Sequence, residues 1–329
     1  FPGVPDMTFV NYVLPSRHNE NVVYACFDGR KNSSDFKPYL IKSTDKGKTW
    51  TSISSNLPSG TVYVIQEDPK NSNILFIGTE FGVWTSIDGG GKWVQLKNGI
   101  PTTQVKDLTI QERENDLVVA TFGRGFYVLD NYSALRELSD AVQKKEAHLF
   151  DVNDALLYFP TRNLSYQGAV TYRAQNPSPA AKFEYHIKKG YETLKQKRVK
   201  AQKKAEKAGT KIPYPTEDEL RAERAEQKPN LVFTIYDTSN NIMRKLTAPL
   251  RAGYNTTSWN LSYLTNRGAK VPPGTYKVAI DKNVKGVYTR LVEPQSFTVK
   301  SIPNALGTPN YVANFNFVKE VNTLNVSLR

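Results

Sequence analysis

Two stretches 43 residues apart carry one pattern, Ser-x-Asp-x-Gly-x-x-Trp: Ser43 to Trp50 reads STDKGKTW and Ser86 to Trp93 reads SIDGGGKW. Each residue type in it has a turn-making job. Asp offers side-chain acceptors to backbone N–H groups of a tight turn, Gly takes a positive φ, and Trp packs a large apolar face between sheets. The match runs beyond the motif. NILFIGTEFGVWTSIDGGGKW aligns with NVVYACFDGR and YLIKSTDKGKTW upstream and with DLVVATFGRGFYVLD downstream, and Thr79 and Thr121 stand 42 residues apart. A unit of that length, built from short apolar runs between turn residues, is a four-stranded propeller blade. In the second unit the runs predict strands over Thr61–Gln66, Ile74–Thr79, Val83–Ile87 and Trp93–Leu96.

Three units fall short of the four or so blades that close a ring. The third also lacks the motif, because YVLDNYSALREL follows where its Asp-x-Gly turn should be. The expectation is a last blade whose outer strand is lost or supplied from elsewhere, with the propeller ending near residue 135 and earlier blades on sequence upstream of Phe1.

The motif pair, known as the Asp-box, resembles the repeats of sortilin-type (vacuolar sorting receptor-like) propellers and of their bacterial relatives, the glycosyl-hydrolase-repeat proteins. Sialidases and xyloglucan-degrading endoglucanases share the box. The resemblance covers residues 1–135 and implies a structural role for Ser43, Asp45, Gly47, Trp50, Ser86, Asp88, Gly90 and Trp93. Animal sortilins add a cysteine-rich module, and this chain has only Cys26, which favours the bacterial kind. A single cysteine also excludes an internal disulfide framework and a cysteine zinc site. His18, His148 and His186 are far apart in sequence, so no metal or other cofactor is implied.

The remainder reads as a second β domain. ALLYFP and GAVTYRA suggest short strands in a connector over residues 136–180. AKFEYHIKK, NLVFTIYDTSNNIMRKL, RAGYNTTSWNLSY, VPPGTYKVAI and QSFTVKS follow over 181–305. Along the second of these, Val232, Thr234 and Tyr236 alternate with Phe233, Ile235 and Asp237. Gly-x-Asn-x-x-x-Trp followed by Pro-Pro-Gly-Thr-Tyr resembles the small immunoglobulin-like β-sandwiches of bacterial secreted and flagellar-hook-cap proteins. The fold class expected is therefore mainly β: C-terminal propeller blades followed by an immunoglobulin-like sandwich.

Into this sandwich a charged helical segment is inserted over residues 190–228. Tyr191, Leu194, Ala201, Ala205 and Ala208 form one thin apolar stripe, Gly209 is placed to end the helix, and Thr216 with Glu219 makes a capping box for a second one. The net charge of +13 concentrates here, with ten Lys or Arg against two Glu between Lys188 and Lys211, leaving +5 for the other 305 residues. A hairpin whose acidic arm offsets its basic arm, or an arm for an acidic partner, both fit. Only one aromatic residue, Tyr191, lies within the basic run, which argues against single-stranded nucleic acid. In the tail, residues 306–329, Phe317, Val321 and Leu324 space as a helical stripe that a stable helix would bury.

Alternating strand direction puts the turns after each second strand on the face opposite the boxes. Asp28 and Arg30, Glu80, and Phe122 to Arg124 then share one rim with the connections Asn56–Gly60 and Asn98–Thr103. Arg30 and Arg124 suit a carboxylate or anionic sugar, or else order their own loops; Glu80 suits a hydrogen-bonding ligand; and Phe122, Tyr127 and Trp84 suit a sugar ring, or else the core. Glu80 and Asp28 are the carboxylates a glycosidase would use. Two functions stay open: an extracytoplasmic binding or scaffolding protein engaging a peptide or glycan, and a glycoside hydrolase. No run reaches the 18 or so apolar residues of a membrane helix.

Overall fold

The computed structural model describes residues 1–158, 178–265, 268–302 and 309–327. The chain divides into two compact units, Phe1–Leu138 and Ser139–Arg329.

The first unit is three consecutive antiparallel meanders. Strands β1 (Phe9–Pro15), β2 (Val23–Asp28), β3 (Tyr39–Ser43) and β4 (Thr51–Ser52) form the first blade, with a single helical turn, α1 (Arg30–Ser33), after β2. β5 (Val62–Glu67), β6 (Leu75–Thr79), β7 (Gly82–Ser86) and β8 (Val94–Leu96) form the second; β9 (Val105–Gln111), β10 (Asp116–Thr121) and β11 (Phe126–Leu129) the third, which has three strands. The central strands are buried on both faces, so β6 reads as an unbroken apolar run, LFIGT, rather than as an alternation. Apolar side chains of neighbouring blades interlock: Val64, Phe76, Val105, Leu117 and Val119 share one cluster, and Tyr24, Cys26, Leu40, Ile65 and Trp93 another. Cys26 is a free, fully buried thiol.

Both boxes close with the same hydrogen bonds. Ser43 Oγ donates to Asp45 Oδ1 at 2.8 Å and accepts from the Gly47 amide at 2.8 Å, while Asp45 accepts from the Thr49 amide. Ser86, Asp88, Gly90 and Lys92 repeat the set at 2.7 to 2.9 Å. Gly47 and Gly90 have φ of +84° and +100°, a conformation that strains any residue with a Cβ. The two Trp residues differ. Trp93 is 1% exposed and donates to the Ile53 carbonyl of the preceding blade, whereas Trp50 is half-buried, bonds the Gly47 carbonyl and packs its edge on Phe1. Equal burial of the two rings, which the repeat predicts, therefore fails: Trp93 is covered by the blade before it, whereas Trp50, with the N-terminal Val4, packs on the cluster that holds Phe27 and Ile41 of its own blade and meets the N-terminal Phe1.

The second unit is two sheets over one core. One contains β12 (Ala147–Leu149), β14 (Ala181–Ile187) and β17 (Gly253–Trp259); the other runs β13 (Ala155–Leu157), β19 (Val287–Ser301), β18 (Gly274–Val284), β15 (Asn230–Tyr236), β16 (Ile242–Pro249). Phe183 of the first sheet stacks on Phe233 of the second, 6.0 Å between centroids, and meets Phe297 edge-on. The β13–β19 pairing is parallel, unlike every other strand pairing among the described residues of the unit. Val232 and Thr234 are buried as well as Phe233 and Ile235, so β15 is covered on both faces and its alternation does not separate core from solvent. ALLYFP supplies β13; GAVTYRA lies outside the described residues. A short α2 (Asp140–Lys144) precedes β12.

The insertion forms a helical hairpin, α3 (Leu194–Lys207) and α4 (Glu217–Ala225). Gly209 at φ +64° ends α3: its amide bonds the Glu206 carbonyl and the Thr210 amide bonds that of Ala205, a Schellman arrangement. Thr216 and Glu219 form the capping box of α4, and Thr193 with Gln196 makes a second one for α3. Arg198 bonds Glu223 through two nitrogens, at 2.6 and 3.0 Å, across the hairpin. The tail helix, α5 (Tyr311–Ser327), buries Tyr311 and packs Phe315 on Tyr263 but exposes Phe317, Val321 and Leu324. The stripe expected to be buried is thus the outer one, because the helix docks through its first turns.

Candidate functional site

The β2–β3, β6–β7 and β10–β11 turns gather charged and aromatic side chains, and Arg30 stands at the centre. Its guanidinium reaches Asp28 Oδ2 at 3.4 Å and Glu80 Oε1 at 3.2 Å, bridging the first blade to the second. Asp28, 1% exposed, also accepts from the Arg30 amide at 3.0 Å and from Thr61 Oγ1 at 3.2 Å. Glu80 accepts at 3.5 Å from the Thr61 amide. Burial pulls the Arg30 pKa down, but Tyr63, Asp28 and Glu80 outweigh it and hold the group above its ordinary value. Of the two roles the sequence left open for Arg30, ligand binding and loop ordering, its pairing with two carboxylates of its own chain supports the second.

A recurring irregularity sets what else reaches this rim. The first strand of every blade carries an extra residue near the same end: Asn11 in β1, Tyr63 in β5 and Lys106 in β9 each interrupt the register. A bulge adds one residue and re-aims the side chain. Asn11 turns to the Val62 carbonyl of the next blade. Lys106 Nζ lies 3.4 Å from the centre of the Tyr63 ring and 5.9 Å from that of Phe122. Burial, then the charge on Arg30, pushes the Lys106 pKa down, and burial pushes that of Tyr63 up. Tyr63 is 7% exposed, and its hydroxyl, beside Arg30, makes no hydrogen bond of normal geometry. Among the described residues Lys106 and Arg124 have no ion pair.

The remaining sequence-predicted positions divide. Phe122 is 69% exposed beside Lys106, and Arg124 is exposed in the same turn. Tyr127 packs into the second-to-third blade core. Trp84 lines a cleft of about 410 Å³ with Pro58, Phe81, Gln95, Ile100 and Pro101, and its buried indole N–H is unpaired. The Asn56–Gly60 connection is tied down: Asn56 exchanges two hydrogen bonds with the Trp93 backbone, and Gly60 donates to Phe36. Tyr63 and Lys106 escaped the sequence reading because an extra residue within a strand leaves the apolar pattern of TVYVIQ unchanged.

The chain is a mainly β protein of propeller blades and a sandwich, with a charged and aromatic rim on the blades. No family model and no curated protein matches it. Among solved structures it is similar to a GH74 enzyme of Niastella koreensis (25% identity over 36% of this chain and 21% of that one, TM-score 0.31). It is also similar to the extracellular domain of a putative one-component system from B. thetaiotaomicron (13% identity, 89% and 31%, TM-score 0.28) and to the GH74 xyloglucanase from Xanthomonas campestris (10% identity, 86% and 38%, TM-score 0.31). The chain spans well under half the length of each, and at these TM-scores nothing about ligand or reaction follows from them.

Proposed function

We propose that this is an extracytoplasmic binding or scaffolding protein of the sortilin-like, glycosyl-hydrolase-repeat kind, whose blade rim engages a glycan or peptide through Arg30, Glu80, Phe122 and Arg124. On this reading residues 1–135 are the last blades of a larger propeller, and 181–305 form an immunoglobulin-like sandwich that docks the molecule elsewhere. The observation that carries it is the convergence of three successive blades on one rim that leaves a cation, Arg124, and an aromatic ring, Phe122, open to solvent. The hydrolase reading is weaker. Asp28 and Glu80 spend their oxygens on Arg30 and Thr61, where a glycosidase needs one carboxyl free to give a proton and another facing the sugar.

The test is calorimetry or pull-down of the purified chain against glycan and peptide panels, followed by Glu80→Ala with Arg124→Ala. Loss of about tenfold in affinity, or ~1.4 kcal/mol, with unchanged unfolding supports the rim site. Undiminished affinity removes these residues from it, and hydrolysis of the bound glycan moves the reading to the enzyme.

A further inference from the structure

On the reading just given, we infer that Lys106, Tyr63 and Phe122 form a subsite for the carboxylate of an acidic glycan, a chain carrying uronic-acid-type sugars.

Three observations lead there. Lys106 feels two cations, Arg30 and Lys31, and two carboxylates, Asp28 and Glu80, so with its own charge the positive groups outnumber these negative ones. Arg30 is the cation those carboxylates hold. Lys106 is left over: exposed, without an ion pair among the described residues, and with its ammonium seated 3.4 Å from the centre of the Tyr63 ring, it is open to an incoming anion. Beneath it the Tyr63 hydroxyl, itself 7% exposed and beside Arg30 without a hydrogen bond of normal geometry, supplies a second donor.

The neighbouring surface favours a sugar over a peptide. Phe122, and Phe81 on the adjacent blade's equivalent turn, expose rings that can cover the C–H face of a pyranose. A peptide backbone would instead need unpaired main-chain groups. Three at this rim are already bonded: the Phe122 amide to the Gln104 carbonyl at 2.8 Å, the Glu80 amide to Thr61 at 3.0 Å and the Thr121 amide to Gly125 at 3.0 Å.

The probes are oligogalacturonate, its fully methyl-esterified form, neutral cello- and xylo-oligosaccharides, and poly-L-glutamate, titrated into the intact chain. Oligogalacturonate should bind, more weakly as salt rises, and the ester should bind at least about tenfold less well. Lys106→Gln should reduce oligogalacturonate affinity by about the same factor, Lys106→Arg should retain most of it, and Tyr63→Phe, which keeps the ring under the ammonium, should give a smaller loss. Near-ultraviolet circular dichroism of each variant checks that the blades stay folded. Equal affinity of Lys106→Gln and the parent for oligogalacturonate overturns the inference. So does tight binding of neutral sugars that ignores Lys106, which leaves the glycan-binding reading standing. Poly-L-glutamate bound in a Lys106-dependent way while oligogalacturonate is not overturns the sugar assignment and leaves a peptide-binding rim. If every probe and every member of the broader panels fails to bind, both readings fall together.

Discussion

Arg136 and Asp68, 68 residues apart, form an ion pair of 2.6 Å in which the carboxylate is fully buried. Arg136 lies in the turn that follows β11 and Asp68 follows β5, so the pair fastens the end of the third blade to the second. Asn115 Oδ1 accepts from the same guanidinium at 2.7 Å, and the Tyr132 ring lies 5.2 Å beneath it.

Removing one partner strands a buried charge. Arg136→Met is expected to lower the stability of the first unit by about 3 to 5 kcal/mol, read by urea unfolding. The double variant Arg136→Met, Asp68→Leu should recover part of that loss, and a double variant no better than the single one would show that the pair does more than cancel its own charges.

The same pair predicts a pH dependence. Burial pushes the Asp68 carboxyl up, but bonds from Arg136 and the Lys70 amide outweigh it and leave the pKa below the ordinary carboxylate value. A depressed folded pKa means stability that is present above the unfolded pKa, about 3.9, and lost as pH falls through the lower folded one. Asp68→Asn should therefore flatten the decline of stability below about pH 4. A decline of unchanged size would assign it to other carboxylates.

In the first box Thr49 donates from its hydroxyl and amide to Asp45, and with Ser43 these bonds hold the carboxyl at about 2. Carbon-detected NMR titration should find that midpoint in the parent and a rise toward the ordinary value of about 3.9 in Thr49→Val. The bonded, ionised turn is fully favoured above about pH 4 and weakens as pH falls through about 2. An unmoved midpoint in the variant would show that the hydroxyl does not set it.

The two box tryptophans should respond unequally. Trp93→Ala empties a site between blades and should cost about 3 to 5 kcal/mol, whereas Trp50→Ala at a half-exposed position should cost less than half of that. Asp88→Ala should lose about 1 to 3 kcal/mol while rim binding survives. Loss of binding without loss of stability would place the box in the site.

The hairpin should be dispensable for folding. Neither α3 nor α4 buries a residue, and their outer ends meet where Glu226 accepts from the Leu194 amide at 2.9 Å. Replacing residues 194–225 by a short Gly-Ser link should leave urea unfolding of the second unit within about 1 kcal/mol. A larger loss would give the hairpin a share of the core.

By itself the sequence determined what local chemistry can encode. The 43-residue spacing of Ser43 and Ser86, Gly47 and Gly90 at positive φ, Gly209 as a helix stop and Thr216 with Glu219 as a cap are all decided within a few residues of chain, and the structure closes each turn with short bonds. Tertiary structure decided the rest. Whether a Trp is buried depends on the blade before it, which separates Trp93 from Trp50. The face of α5 that docks depends on where Tyr311 and Phe315 find the sandwich core, and not on the regular spacing of Phe317, Val321 and Leu324. The rim owes most to long-range contact: Asp28 and Glu80 converge on Arg30 from different blades, and a single extra residue in β9 sets Lys106 over Tyr63, 43 positions away. A bulge costs one ladder hydrogen bond and leaves hydrophobicity untouched, so the pattern of apolar residues carries no mark of it; only pairing with the neighbouring strand reveals which side chain has been turned.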